Sequence, residues 1–142
     1  MRRTVMLDII TFLLAVLFLY ASLTKLMDFE KFTVQIGQSP LLTGFGKVIA
    51  PAVIATELLT AAFLFISPYR ILALFASFSL MTMFTAYIVA ILTFSPFIPC
   101  SCGGILERMG WTQHLIFNIA FMLFAIIGIY LEAYQSKGSN KC

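Results

Sequence analysis

The chain of 142 residues is 61% hydrophobic and only 11% charged, with a mean hydropathy of +1.02. Soluble domains average about 25% charged residues, and a compact soluble fold of this length needs more polar surface than these side chains supply. Nine basic and six acidic residues, scattered with no basic run for a net charge of +3, exclude an ordinary soluble enzyme, a disordered chain and a nucleic-acid binder, and leave a small integral membrane protein.

Charges mark the ends of the apolar segments. Between Asp8 and Lys25 lie 16 uncharged residues. Extended to 5–26, they predict a first helix that just crosses the hydrocarbon at about 1.5 Å per residue. Met1-Arg2-Arg3 has the look of a signal-peptide start. The apolar stretch is longer than usual, however, and Lys25, Met27 and Asp28 follow it in place of a small-residue cleavage site, so a permanent helix is expected. From Lys25 to Lys47, the stripe Leu26, Phe29, Phe32, Thr33 and Ile36 predicts a short amphipathic helix in the interface. A turn over Gln38-Ser39-Pro40 and Gly44 to Gly46 then follows.

The second span, 48–66, contains Glu57 and ends at Ser67-Pro68. The third, 70–94, is stopped by Pro96 and Pro99, and the fourth, 112–132, leaves the membrane at Glu132 ahead of a polar tail, 135–142. Helices satisfy their own backbone in lipid where open strands do not, so the fold class is an all-α four-helix membrane bundle forming one transmembrane domain, 1–142. The minimal link at 67–70 makes the second and third spans antiparallel neighbours.

Basic residues in short loops set the orientation. With the N-terminus inside, Arg2, Arg3, Arg70, Lys137 and Lys141 face the cytoplasm, five against the four outer residues Lys25, Lys31, Lys47 and Arg108. The Arg pair ahead of the first helix favours this choice. It predicts a multi-pass protein of the cytoplasmic membrane, with both termini cytoplasmic and the segment Ser95 to Trp111 on the periplasmic side.

That segment carries Cys100-Ser101-Cys102-Gly103-Gly104. Extended residues i and i+2 lie about 7 Å apart, the limit for a disulfide, so a bridge needs the bend that Pro99 and the glycines permit. A bridge closing so small a loop removes little unfolded-state entropy and stores strain, which makes it labile and oxidising. Arg108, and His114 at the start of the fourth helix, would favour the thiolate. Three readings stand side by side: a redox pair; a soft-metal site of Cys100, Cys102, Met109 and His114; and an inert surface bridge. Cys142, the last residue, is given no role.

Glu57 lies near mid-depth, where a carboxylate costs a few kcal/mol and normally points at a partner or a cavity. Its candidate partners are Lys25, His114 and Asn118, the last two sharing one helix face at i, i+4. Two readings compete: an interhelical packing seam, or a proton path or quinone head-group site built from Lys25, Glu57, His114 and Asn118. The 15 phenylalanines are assigned to lipid contact and core.

Three stretches together resemble the MauE/DoxX group of small four-helix membrane proteins. They are Tyr20-Ala21-Ser22-Leu23-Thr24-Lys25-Leu26 with Asp28 and Phe32; Glu57 after Pro51; and Pro99-Cys100-Ser101-Cys102-Gly103-Gly104 ahead of His114 and Asn118. The Cys-x-Cys with glycine is similar to the MauE branch in particular. The resemblance implies a membrane redox protein acting beside a periplasmic thioredoxin-like partner. In methylamine utilisation such proteins help a disulfide-rich dehydrogenase subunit mature, and other relatives are linked to quinone-coupled sulfur oxidation.

The expected function is therefore thiol–disulfide exchange, with Cys100 attacking and Cys102 resolving. His114 and Arg108 would stabilise the thiolate, Glu57 would shuttle a proton, and a quinone is the one cofactor suggested. Partners are the bilayer and a thioredoxin-fold protein, with no nucleic acid. The alternatives are a copper-handling or assembly-factor protein using the same cysteines, and a structural partner subunit.

Overall fold

A computed structural model describes residues 2–38, 42–94 and 110–139 of the chain. Helix α1 (Arg2–Met27) buries Leu7, Ile10, Thr11, Leu14, Ala15, Leu17, Phe18 and Ser22, the 3.6-residue stripe of one inward face. Its opposite side, with Phe12, Val16, Leu19 and Leu23, is exposed and apolar, and so faces hydrocarbon. Helix α2 (Phe29–Gln38) follows at once, and a turn with Gly44 at φ +87° leads into α3 (Gly46–Leu64). A single 3₁₀ turn at Ser67–Tyr69 reverses the chain into α4 (Arg70–Phe94), and α5 (Trp111–Ser139) completes the bundle.

Every regular element among the described residues is helical, and four helical stretches are long and apolar enough to cross a membrane: Arg2–Met27, Gly46–Leu64, Ser67–Phe94 and Trp111–Lys137. They form a ring in which α1 and α4 each pack against both α3 and α5. Arg70 Nη1 lies 3.6 Å from Asp8 Oδ1 and 3.8 Å from a carboxylate oxygen of Glu132. This places the starts of α1 and α4 and the later part of α5 at one end of the bundle, here the lower end. At the upper end α1 and α4 finish, α3 and α5 begin, and α2 packs.

The core between them joins Leu14 and Phe18 of α1, Ala61 and Leu64 of α3, Leu74 and Met81 of α4 and Ala125 of α5. Small residues set the spacing. A Cβ at buried Gly128 would stand 2.9 Å from Leu74 Cδ2 and 3.3 Å from Ile10 Cγ2, so glycine lets α5 close against both neighbours. The buried hydroxyls turn back on their own helices: Thr11 donates to Leu7 O, Thr60 to Thr56 O and Ser77 to Ala73 O.

The helix ends agree with the charge boundaries to within a few residues, and α4 coincides with the expected third span. Two features differ. The amphipathic helix does not keep its whole apolar stripe for the bilayer interface, because Phe32 and Ile36 are buried against Ala50 and Ile54 of α3. Gly46 allows this: a Cβ there would come within 2.5 Å of Thr33 O. The expected polar tail from 135 also begins as helix, since α5 continues to Ser139. The guanidinium of Arg3 lies 4.5 Å from the centre of the Tyr134 ring, so the start of α1 gives this last stretch a wall to pack on.

Candidate functional site

Three buried stripes carry polar residues into the upper half of the bundle. Lys25 continues the inward face of α1 three residues beyond Ser22, and is nearly buried. Glu57 falls in the α3 stripe Ala50, Ile54, Glu57, Ala61, Leu64 and is 0% exposed. Asn118 lies on the face of α5 that also buries Ala125 and Leu131. His114, one turn before Asn118, is half-buried.

Of the three candidates for Glu57, Lys25 is the one the structure places against it: Lys25 Nζ donates to Glu57 Oε1. Two aromatic rings complete the setting of the ammonium. The Phe84 ring of α4 is centred 4.8 Å from Nζ, and the Phe32 ring of α2 5.6 Å from it. Lys25 thus touches four of the five helices' worth of structure from one side chain: its own α1, α2, α3 and α4.

The polar atoms are not all matched. Among the described residues, Glu57 Oε2 and Asn118 Nδ2 are buried with no hydrogen-bond partner. One is an acceptor and the other a donor, and both stand where an unmade bond costs about 1–3 kcal/mol. Gln113 takes a different part. Its Oε1 accepts from Gly110 N at 3.2 Å, capping the first turn of α5 and turning away from the cluster.

Residues 95–109 join the upper ends of α4 and α5, and with them Cys100, Cys102, Arg108 and Met109 lie outside the described residues. Of the four candidate metal ligands only His114 is described, and no group of three or more His, Cys, Asp or Glu among the described residues could hold a metal ion.

The family profile described as methylamine utilisation protein MauE matches residues 3–131. The chain belongs to the MauE family. In this MauE-family protein the matched stretch takes in Lys25, Glu57, the Cys-x-Cys segment, His114 and Asn118. Neither the curated proteins nor the solved structures contain a match to it.

Two sets of side chains in this MauE-family protein gain their place only from helix packing. Phe84 is one of 15 phenylalanines with nothing to single it out, and Phe32, marked as part of the amphipathic stripe, shows its place beside Lys25 only through the helix register. Arg70 serves in the sequence as a boundary and an orientation charge, with no partner assigned to it. Its signal was the position of Asp8 and Glu132 as the acidic bounds of the first and fourth apolar segments, at the level where Arg70 opens the third.

Proposed function

We propose that the chain is a membrane thiol–disulfide redox protein whose Cys100–Cys102 pair exchanges electrons with a periplasmic thioredoxin-fold protein. The observation that supports this reading is the buried Lys25–Glu57 pair, with His114 and the unpartnered Asn118 on the first turns of α5, at the end of the bundle from which the cysteine segment is strung. Thiol chemistry moves protons with electrons, and here the bundle holds a carboxylate near mid-depth and an imidazole in the first turn of α5.

In the exchange, a thiolate of the partner attacks the Cys100–Cys102 disulfide and a mixed disulfide forms. The partner's second thiolate then resolves it, leaving the partner oxidised and Cys100 and Cys102 as thiols. Two electrons move from partner to pair, and the two thiols formed take up two protons. Arg108 and His114 stabilise the thiolate, and Glu57 holds or passes a proton at its free Oε2. The same steps in reverse carry electrons outward.

The unpartnered Asn118 also fits a quinone head group: its Nδ2 has a hydrogen to give, and His114 is one turn away on the same helix face. A quinone, when bound, supplies an acceptor of two electrons and two protons. The pair belongs on the periplasmic side of the cytoplasmic membrane in this reading, with both termini cytoplasmic.

Trapping the thiols in native membranes with a maleimide mass tag, in a Cys142→Ser background, tests the proposal. Cys100 and Cys102 are expected to be bridged and to become labelled when a reduced thioredoxin-fold protein is added. Thiols that stay free under oxidising conditions would overturn it and send the work to metal analysis. A bridge that no dithiol opens would leave a structural subunit.

A further inference from the structure

The lower end of the bundle carries a second polar cluster, which the redox reading does not use. Arg70 of α4 sits between Asp8 of α1 and Glu132 of α5, but at 3.6 and 3.8 Å it is too far from either for a hydrogen bond. Its guanidinium makes one long hydrogen bond, 3.5 Å from Nη2 to the Ser67 hydroxyl. Among the described residues, Arg70 Nε, Glu132 Oε2 and Gln135 Nε2 are all buried without a hydrogen-bond partner. Glu132 and Gln135 are i, i+3 on α5, so they share a face. Two donors and one acceptor are left over in one place.

The level of this cluster is that of lipid head groups. Tyr69, Tyr130 and Tyr134, three of the chain's five tyrosines, are exposed at this end, as in the aromatic belts of membrane proteins. Arg3 stacks on Tyr134 beside the cluster. Arg70 stands against Asp8 and Glu132 within the cluster, and Arg2, Arg3 and Lys137 flank it. A wholly anionic ligand without a donor would leave the buried Glu132 Oε2 unpartnered and facing a like charge. A ligand that suits the leftover atoms presents an acceptor to Arg70 and Gln135 and a charged donor to Glu132, and is itself neutral.

We infer that this cluster is a binding site for the head group of an ethanolamine phospholipid. The phosphate accepts from the Arg70 guanidinium and the Gln135 amide, and the ammonium donates to Glu132. Asp8, more than half exposed, lies on the open side through which the head group enters. The acyl chains then run along the exposed apolar faces of α1 and α5.

The test uses the full-length protein in nanodiscs of equal ethanolamine and glycerol phospholipid, extracted gently, with the retained lipid counted by mass spectrometry. The ethanolamine lipid is expected in excess by about tenfold, the worth of one hydrogen bond to a charged group. Glu132→Gln removes the charge that selects the ammonium and brings the ratio near one. Gln135→Leu deletes a donor without altering charge and lowers retention of both lipids. Lys47→Ala, exposed at the other end, changes neither quantity. A wild-type ratio near one, an excess of the glycerol lipid, or no retained lipid overturns the site. So does an unchanged ratio in a Glu132→Gln protein of normal helix content.

Discussion

Lys25 and Glu57, 32 residues apart in the chain, meet as a buried ion pair in which the lysine uses one carboxylate oxygen and leaves the other bare. A carboxylate near mid-depth costs about 2.5–3.5 kcal/mol to insert, and the ammonium recovers part of this by forming a charge-assisted hydrogen bond. The two rings over Nζ add attraction without adding polarity. The result is a charged centre that lipid does not reach.

Breaking this pair from one side should be worse than removing it. Lys25→Met leaves an uncompensated carboxylate and Glu57→Leu an uncompensated ammonium, each at a cost of about 3 kcal/mol. The double variant is expected to lose less than either single one. Thermal unfolding of the detergent-solubilised protein across the four-member cycle measures this, and additive losses would show that the two residues act independently.

Gly46→Ala is expected to release α2 from the bundle. The new methyl would meet the Thr33 carbonyl, a backbone atom that cannot swing aside, at a cost of about 1–3 kcal/mol. Hydrogen exchange should rise over residues 29–38 while the four spans keep their protection. Unchanged exchange there would mean that α2 is held by something other than this close approach.

Gly128 offers the contrasting case. A methyl there meets most closely the end of the Leu74 side chain, which can shift, and only at 3.3 Å the stiffer β-branch methyl of Ile10, so Gly128→Ala should cost about 1 kcal/mol. Gly128→Leu has no such escape and should lower the unfolding temperature clearly, by forcing α5 away from α1 and α4. Equal tolerance of both would show that the helices are not in contact at this level.

The redox reading makes an asymmetric prediction for the cysteines. With Cys102→Ser, Cys100 is expected to hold the thioredoxin-fold partner as a mixed disulfide, visible as a heavier band that reductant removes. With Cys100→Ser little of that adduct should form. The reverse pattern would assign Cys102 as the attacking thiol, and no adduct from either variant would count against exchange.

Much of this architecture can be read from where the charges stop. Asp8, Lys25, Lys47, Arg70 and Glu132 bound the apolar segments, and helix ends fall close to Lys25, Lys47 and Arg70 while α1 and α5 run past Asp8 and Glu132. Glu57 advertised itself as a charge inside a span, and Lys25, at the end of another, was a natural partner. Hidden from a linear reading was everything that depends on rotation of one helix against another. Which of the many phenylalanines would cover Lys25, and whether Arg70 would lie between Asp8 and Glu132, are questions of register across three helices. The continuation of α5 past Glu132 was hidden for a related reason, since Arg3, which packs on Tyr134, comes from the opposite end of the chain.

The inward-bent hydroxyls of Thr11, Thr60 and Ser77 bear on how the chain is made. Each is satisfied by its own helix, so a span can leave the translocation machinery alone and complete, and pack afterwards. Glu57 is the exception, because the partner it needs lies on another helix. That helix is synthesised first. The lysine is already in the bilayer when the carboxylate arrives, and the order of the two residues along the chain becomes an order of events. A glycosylation reporter placed beyond α3 should therefore report poorer insertion when α1 carries Lys25→Met than when it is intact.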